Sequence, residues 1–258
     1  MIQSLKDIFF YKEMIRNLIR KDLRGRYKGS LLGFFWTILN PILQLVVYTF
    51  LFSLVLRTGI DKYYLFLFVA LVPWLFFSSC LVGGSGIILG QKDLVKKIYF
   101  PLEVLPIAHV CSNFVNMLLS FIVIFVVVIF AGNGITTAIL YLPIVMIVEF
   151  VLCLGVAFIT SAITIYFRDM EQILGILGMA WMYLTPIMYS VDMVPVEFHN
   201  IFLINPMSPI ILAYRSILYY GQAPEITVLI HGLLLGLVVL VIGFVLFHKL
   251  KRRFVEEL

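Results

Sequence analysis

The sequence predicts an all-α integral membrane protein with six transmembrane helices. Three observations lead to this prediction: the composition, the length of the uncharged runs and the placement of charge. Hydrophobic residues make up 62% of the 258 positions and charged residues only 13%, and the mean hydropathy is +1.08. A soluble domain is about half apolar and about one-quarter charged, and its core could not bury the excess apolar surface. The composition therefore excludes a water-soluble enzyme, a nucleic-acid-binding domain and a disordered chain.

Uncharged runs give the positions of the spans, because a helix needs roughly 20 apolar residues to cross about 30 Å of hydrocarbon. The six predicted spans cover residues 31–56, 63–90, 104–131, 138–167, 172–191 and 226–247. Gly132-Asn133-Gly134 predicts the turn between the third and fourth spans. A further uncharged stretch at 198–214 is short and interrupted by Pro206 and Pro209, so it does not count as a crossing.

The placement of lysine and arginine orients these spans. Of the 19 such residues, only Arg57, Lys62 and Arg215 lie in loops that follow an odd-numbered span, on the side opposite the termini. Because loops rich in lysine and arginine stay in the cytoplasm, both termini are predicted to be cytoplasmic. The chain then divides into an interface helix at 1–28, a single transmembrane domain at 29–250 and a cytoplasmic tail at 251–258.

The N-terminal 28 residues predict an amphipathic helix. Apolar residues between Leu5 and Leu23 recur at the spacing of one helical face, and basic residues occupy the remainder. Such a helix lies in the membrane interface with its cations near lipid phosphates, or it docks a cytoplasmic partner. Both interpretations remain open. The candidate interface cations are Arg20, Lys21, Arg24, Arg26 and Lys28.

The predicted outer loop from Asp192 to Glu225 is long, apolar and rich in proline. A loop of this composition would not stay free in water, so it predicts one or two short re-entrant helices, broken at Asn205-Pro206. Re-entrant segments are stable only where protein buries them or where they line a wet cavity. The loop is therefore a candidate outer gate, with Pro195, Asn205, Pro206, Tyr214 and Arg215 as its residues.

Glu149 is the one acidic residue placed inside a predicted span. A charge at the bilayer centre costs at least about 2.5–3.5 kcal/mol. Glu149 is therefore either a polar site on a substrate path or a protonated carboxyl bonded to a neighbouring helix. The three cysteines lie inside apolar runs and predict neither a disulfide nor a metal site.

Two sequence motifs bear on whether the chain is an enzyme. Gly83-Gly84-Ser85-Gly86 matches the G-x-S-G motif of rhomboid proteases, but His231, the candidate base, lies roughly 25 Å away in depth at 1.5 Å per residue. Because a nucleophile and its base need hydrogen-bond reach, an intramembrane serine protease is only a distant alternative. The chain also lacks a P-loop. It therefore predicts a non-enzymatic protein without a cofactor of its own, in which any ATP and Mg are bound by a partner.

The predicted cytoplasmic loop from Gln91 to Glu103 is short and basic, and it carries Tyr99, Phe100 and Pro101. From the residues alone it is either a solvated positively charged loop with interfacial aromatics or a receiver for an ATPase subunit. The composition of the loop alone favours the first interpretation.

Several motifs follow one another in a fixed order along the predicted topology. They are Arg24–Trp36 with Asn40-Pro41, Pro73–Ser78, Leu94–Pro101 with Glu103 and Pro106, Phe167-Arg168-Asp169, Thr185-Pro186-Ile187, Asn205-Pro206-Met207 and Tyr214-Arg215. Together they resemble ABC-2-type polysaccharide and polyol phosphate export permeases, which export O-antigen, capsular polysaccharide or teichoic acid. The resemblance extends from about residue 12 to about residue 250.

The resemblance implies a half-transporter in the cytoplasmic membrane of a bacterium. Two copies of the chain would form the pathway as a homodimer, and two copies of a separate P-loop ATPase would dock beneath them. The substrate would be a glycan or teichoic acid on a polyprenyl diphosphate lipid, and no nucleic acid is expected as a partner. An ABC-2 exporter of drugs or small lipids is the alternative. A secondary transporter would be expected to have paired intramembrane charges or a visible repeat between its two halves, and the sequence has neither.

The resemblance also assigns roles to residues. The ATPase coupling set is Lys92, Asp93, Lys96, Lys97, Tyr99, Phe100, Pro101, Glu103, Arg168 and Asp169. The substrate path would include Glu149 and three aromatic residues of the fifth predicted span, Trp181, Tyr183 and Tyr189. Aromatic residues in membrane proteins also collect in interface belts or against lipid, so this lining role stays an expectation.

Overall fold

The computed structural model describes residues 10–25, 33–55, 59–131, 134 and 136–258. Throughout these residues the chain forms helices joined by turns and short extended stretches, with no strand. The α-helices are α1 (Lys12–Gly25), α2 (Trp36–Thr49), α3 (Tyr63–Ser85), α4 (Lys92–Lys97), α5 (Val104–Phe130), α6 (Leu142–Tyr166), α7 (Met170–Leu184), α8 (His199–Ile204), α9 (Met207–Leu218), α10 (Ile226–Leu250) and α11 (Phe254–Glu257). The predicted turn residues Gly132 and Asn133, the first nine residues and Arg57 lie outside the described residues.

Among the described residues, four helices are long and apolar enough to cross a membrane: α3, α5, α6 with the short 3-10 helix before it, and α10. They correspond to the predicted second, third, fourth and sixth spans. The predicted first span contains α2, which continues as a π-helix over Phe50–Val55.

The predicted fifth span contains α7, which is shorter than the sequence suggested. It has 15 residues, about 22 Å at 1.5 Å per residue. The helix stops at Leu184 because Thr185 precedes Pro186, and a residue before proline disfavours helical backbone. Thr185 is accordingly extended, with φ −102° and ψ 135°. The remainder of the predicted span, up to Val191, is therefore not part of a straight helix.

Helix α3 forms the centre of the fold. Its side chains are buried on nearly every face, as expected for a helix that is apolar all round. It packs against α2, α5, α6, α7 and α9. Phe66, Phe68 and Phe77 are among the largest fully buried side chains of the protein. Helix α3 therefore contacts α6, α7 and α9, the helices that carry Glu149, Trp181 and Arg215.

Helix α10 packs chiefly on α6, and this is the most extensive helix–helix contact of the described chain. The two backbones approach so closely at Gly155 that an added Cβ would lie 2.5 Å from the Leu240 nitrogen. Gly243 faces the Gly155 carbonyl in the same way. Small residues permit such contacts between transmembrane helices, which are held by van der Waals packing. The outer faces of α10 remain exposed, for example at Val238, Val241 and Val245.

The predicted outer loops meet at one end of the helices. Lys62 Nζ donates a hydrogen bond to the Ala131 carbonyl (2.8 Å), and Tyr219 Oη donates to the Asp61 carbonyl (2.6 Å). Tyr63 Oη donates to the Met188 carbonyl (2.9 Å). These bonds tie together the ends of α3, α5, α7 and α9.

The predicted cytoplasmic segments meet at the opposite end. Lys21 Nζ donates to Gln91 Oε1 (3.2 Å), which joins α1 to the segment before α4. Tyr166 Oη donates to the Leu250 carbonyl (3.0 Å), which joins the end of α6 to the end of α10.

Candidate functional site

The short helix α4 presents the cationic part of the predicted coupling loop. Lys92, Asp93, Lys96 and Lys97 are all exposed. The backbone becomes extended at Ile98, and the next residue, Tyr99, is 98% exposed. A tyrosine this exposed has no packing role within the chain, so the segment presents three lysines and an aromatic ring at the protein surface.

The second half of the same loop has the opposite character. Phe100 is buried, Pro101 is half-buried and Glu103 is 1% exposed. Phe100 belongs to an apolar cluster at this end of the helices, which also includes Val95, Phe158 and Phe247. Buried side chains cannot contact an ATPase directly. Within the predicted coupling set, these residues anchor the loop to the helices.

Glu103 is held by the C-terminal segment that the sequence presents as a cytoplasmic tail. Lys251 Nζ donates to Glu103 Oε1 at 2.5 Å, and His248 Nδ1 lies 3.7 Å from the same oxygen. Phe254 is fully buried in the apolar cluster, edge-on to Phe247 at 5.4 Å between ring centroids. We call His248, Lys251 and Phe254 the C-terminal latch. The sequence pattern did not predict it, although a phenylalanine directly after three basic residues was a usable signal.

Arg168 and Asp169 are exposed in the turn between α6 and α7. The turn lies at the same end of the helices as α4, because Tyr166 is bonded to the Leu250 carbonyl there. The two residues therefore share a face of the protein with the loop to which the resemblance assigns them.

The cations of α1 lie on its exposed side, as the amphipathic pattern predicts, and Lys21 also bonds to Gln91 from there. Arg20, Lys21 and Arg24 are exposed, while α1 packs on α5 by its other face. That packing includes a hydrogen bond donated by the Ser112 hydroxyl to the Asp22 carboxylate. The candidate residues Arg26 and Lys28 lie outside the described residues.

Glu149 is completely buried between α6 and α9. The Tyr214 hydroxyl, also fully buried, donates to Glu149 Oε2 at 2.6 Å. Within the described part of the chain, Glu149 Oε1 has no hydrogen-bond partner. The hydrogen bond joins α6 to α9, in keeping with the interpretation of Glu149 as a carboxyl bonded to a neighbouring helix.

The three aromatic residues proposed for the substrate path differ in exposure. Tyr183 is 59% exposed. Tyr189 is half-buried, and its hydroxyl donates to the Tyr183 carbonyl at 2.8 Å. Trp181 is also half-buried and packs edge-on to Phe77 at 5.1 Å between ring centroids. Tyr183 is therefore the member of this set with the most surface available to a ligand.

Asn205 organises the candidate outer gate at the predicted break between two short helices, α8 and α9. Its Oδ1 accepts hydrogen bonds from Trp181 Nε1 (2.9 Å) and from the Met207 backbone nitrogen (3.0 Å). Its Nδ2 donates to Thr185 Oγ1 (2.9 Å) and to the Leu184 carbonyl (3.2 Å). One side chain thus fixes the end of α7 against the start of α9. Pro206 follows it as the N-cap of α9, and Pro195 is exposed farther out.

Arg215 is buried near the end of α9 and is held by carbonyl oxygens. Its Nη2 donates to the Ile187 carbonyl (2.5 Å) and its Nη1 to the Tyr189 carbonyl (3.3 Å). The guanidinium carbon lies 3.5 Å from the centroid of the Phe66 ring on α3. A guanidinium in this position satisfies the carbonyls of a non-helical segment and adds a cation–π contact. Asn205 and Arg215 therefore form one unit with the segment that follows α7, to which both donate hydrogen bonds.

Replacing Asn205 with alanine should destabilise this unit. The change removes four hydrogen bonds and leaves the Trp181 indole N–H and the buried Met207 backbone N–H without their acceptor, at a cost of about 2–3 kcal/mol. A thermal unfolding scan in detergent measures the loss. Gln222→Ala, on the exposed surface after α9, is the control and should unfold like the parent. A parental unfolding temperature for Asn205→Ala would contradict the prediction.

The geometry around Ser85 matches a structural residue. Its hydroxyl donates to the Val82 carbonyl at 2.6 Å, within the same helix, and the side chain is fully buried. His109 Nε2 lies 3.1 Å from the Ser79 carbonyl and 3.0 Å from Asn113 Nδ2. These contacts place the histidine in a packing network between α3 and α5.

Known proteins resemble this chain along most of its length. Residues 13–219 match the ABC-2 type transporter family. An O-antigen export system permease protein RfbA from Myxococcus xanthus is 31% identical over 260 residues, which cover 100% of both chains. A protein of the same name from Klebsiella pneumoniae is 34% identical over 246 residues, 93% of each chain. The polysialic acid transport protein KpsM from Escherichia coli is 25% identical over 242 residues, 92% of this chain and 93% of its own. This chain belongs to the ABC-2 type transporter family.

Proposed function

We propose that this protein is the transmembrane subunit of an ATP-driven exporter. It moves a polysaccharide, carried on a polyprenyl diphosphate lipid, across the cytoplasmic membrane of a bacterium. The observation that carries the proposal is the end-to-end similarity to relatives named as O-antigen export permeases. The more distant relative named for polysialic acid transport supports the same chemical class of cargo. A teichoic acid, which is a polyol-phosphate polymer on the same kind of lipid, is the other cargo that the proposal includes.

The proposed topology has six crossings with both termini in the cytoplasm. Four long apolar helices support it, as does the collection of the basic segments at one end of the fold. In this arrangement α2 with its π-helical extension forms the first crossing and α7 forms the fifth. Helices α8 and α9 enter the outer leaflet. The pathway forms between two copies of the chain, and two copies of the ATPase dock on the face that carries α4.

The exposed half of the predicted coupling loop supplies the ATPase contact in this proposal. Replacing Lys96, Lys97 and Tyr99 together with alanine should lower export at least tenfold, because the change removes two charges and the 98% exposed ring. Insertion and thermal stability should stay near those of the parent, since none of the three side chains is buried. Cell-surface polysaccharide and the amount of protein in the membrane measure the two effects. Normal export in this variant would show that these side chains do not form the proposed ATPase contact.

The test of the function itself uses the chain in its native membrane. Deleting its gene should trap the lipid-linked polysaccharide inside the cell, and restoring the gene should return the polymer to the surface. A tagged full-length chain, extracted gently, should retain a P-loop ATPase in equal amount. If the polymer still reaches the surface while a drug or small lipid is retained, the substrate class is wrong. If no ATPase is retained under conditions that preserve other ABC complexes, the energy source is wrong.

A further inference from the structure

A groove between α2, α3 and α5 has an unusual lining for a membrane protein. Its volume is about 360 Å³, at the lower end of the range for small-molecule sites, about 300–1,000 Å³. The polar residues that line it are Asn40, Ser79, Asn113, Asn116 and Ser120. Several of them lie near the middle of α3 and α5, the two helices that are long and apolar enough to span the membrane. Polar groups at that depth are costly and mark functional sites.

The groove keeps hydrogen-bonding capacity for a ligand. The Oδ1 atom of Asn116 is shielded from solvent and accepts no hydrogen bond from the part of the chain that the structure describes. The hydroxyls of Ser79 and Ser120 donate to carbonyls of their own helices, at 2.7 and 3.1 Å. Because a hydroxyl oxygen also accepts, both serines retain acceptor sites. A buried amide oxygen without a partner costs roughly 1–3 kcal/mol, which a hydroxyl donor from a ligand would offset.

The lining selects against charged ligands. Among the described residues that line the groove, none carries a charge. Trp36 and Phe76 supply aromatic surface, with Trp36 partly exposed at the rim. Amides and hydroxyls bind sugar hydroxyls, and aromatic rings pack against the C–H faces of a sugar ring. A phosphate would find no cation in the groove, whereas exposed cations lie on α1, which packs against the same helix α5.

We propose that this groove is a subsite for one uncharged sugar ring of the lipid-linked substrate, with Asn116 as its principal acceptor. The inference rests on the proposed function and goes further, since it places a sugar on α2, α3 and α5, apart from the three aromatic residues assigned to the path above. The phosphate of the same lipid stays outside the groove, toward the basic face of α1.

A pair of lipids tests the subsite directly. The full chain, with any ATPase that it retains, is placed in lipid nanodiscs and offered a polyprenyl phosphate bearing one glucose or the same polyprenyl phosphate without sugar. The parent should bind the glucosylated lipid more tightly. Asn116→Leu should weaken that binding about tenfold, the effect of one lost hydrogen bond in a desolvated site, and leave the sugar-free lipid unchanged. Asn116→Ser should retain part of the difference, and Ser208→Ala, on α9 and outside the lining, should retain all of it.

Several results would overturn the subsite. Equal affinity of the parent for both lipids would show that no sugar is recognised. Equal weakening of both lipids by Asn116→Leu would assign the groove to the phosphate or the tail. Weakened self-association with unchanged lipid preference would make it a seam between two copies. The proposed function fails separately: in that case the parent gene does not restore surface polysaccharide, whatever the nanodisc measurement gives.

Discussion

Replacing Gly155 with alanine should lower the free energy of unfolding by about 3 kcal/mol, and replacing it with leucine should prevent folding altogether. The Cβ of an alanine at this position would lie 2.5 Å from the Leu240 nitrogen and 2.6 Å from the Leu240 Cα. Both atoms belong to the backbone of α10, so no side chain can move aside. The two helices would have to separate along their shared interface, and overpacking of this kind costs about 1–3 kcal/mol or more.

A matched glycine on another helix controls for the substitution itself. Gly175 lies within α7, and an added Cβ there would meet nothing within 4 Å. Gly175→Ala should therefore unfold at the parent temperature or slightly above it, because alanine favours the helix by about 1 kcal/mol. Gel filtration and thermal unfolding in detergent compare the two variants. The expected contact at Gly155 does not exist in the folded protein if the two alanine variants behave alike.

Replacing Lys251 with methionine should destabilise the end of the protein that carries α4 by about 3 kcal/mol. Glu103 is 1% exposed and would lose the ammonium group at 2.5 Å, and removing one partner of a buried ion pair costs about 3–5 kcal/mol. The expected value lies at the lower limit because Lys251 itself is one-quarter exposed. His248 also remains near the carboxylate. Export should fall as well, since Glu103 anchors the loop that carries Tyr99.

A double-mutant cycle separates the ion pair from other effects of the change. Glu103→Gln alone removes the buried charge, and the combination Glu103→Gln with Lys251→Met should recover much of the stability that Lys251→Met loses. Arg252→Met, at the exposed neighbouring position, should have little effect. If the double variant is as unstable as the sum of its two single changes, the two side chains are not coupled and the latch is not held by this pair.

Features with local signals were accessible from the sequence. The break between α8 and α9 falls at Asn205-Pro206, because the residue before a proline disfavours helical backbone. Four of the predicted spans appear as long apolar helices, because run length alone defines them. The close packing of α10 through Gly232 and Gly236 also follows the spacing of small residues.

Features that depend on distant partners were not accessible. Gly155 has no glycine four residues away, so its close contact with the backbone of α10 gives no sequence pattern. The sequence around Glu103 indicates an ordinary loop residue, because its partner Lys251 lies 148 positions later in the chain. Likewise, the polar groove combines residues from three helices, and each serine or asparagine alone looks like ordinary helix packing. The length of α7 was missed because hydropathy does not register the effect of Pro186 on Thr185.

The C-terminal latch has a consequence for the order in which the protein is made. The loop around Glu103 is synthesised before α5, α6, α7 and α10, whereas Lys251 and Phe254 follow all of these helices. The loop therefore acquires its ion pair and its apolar neighbour only after the last long helix has been made. Until then, Glu103 lacks the ammonium group that it has in the folded protein.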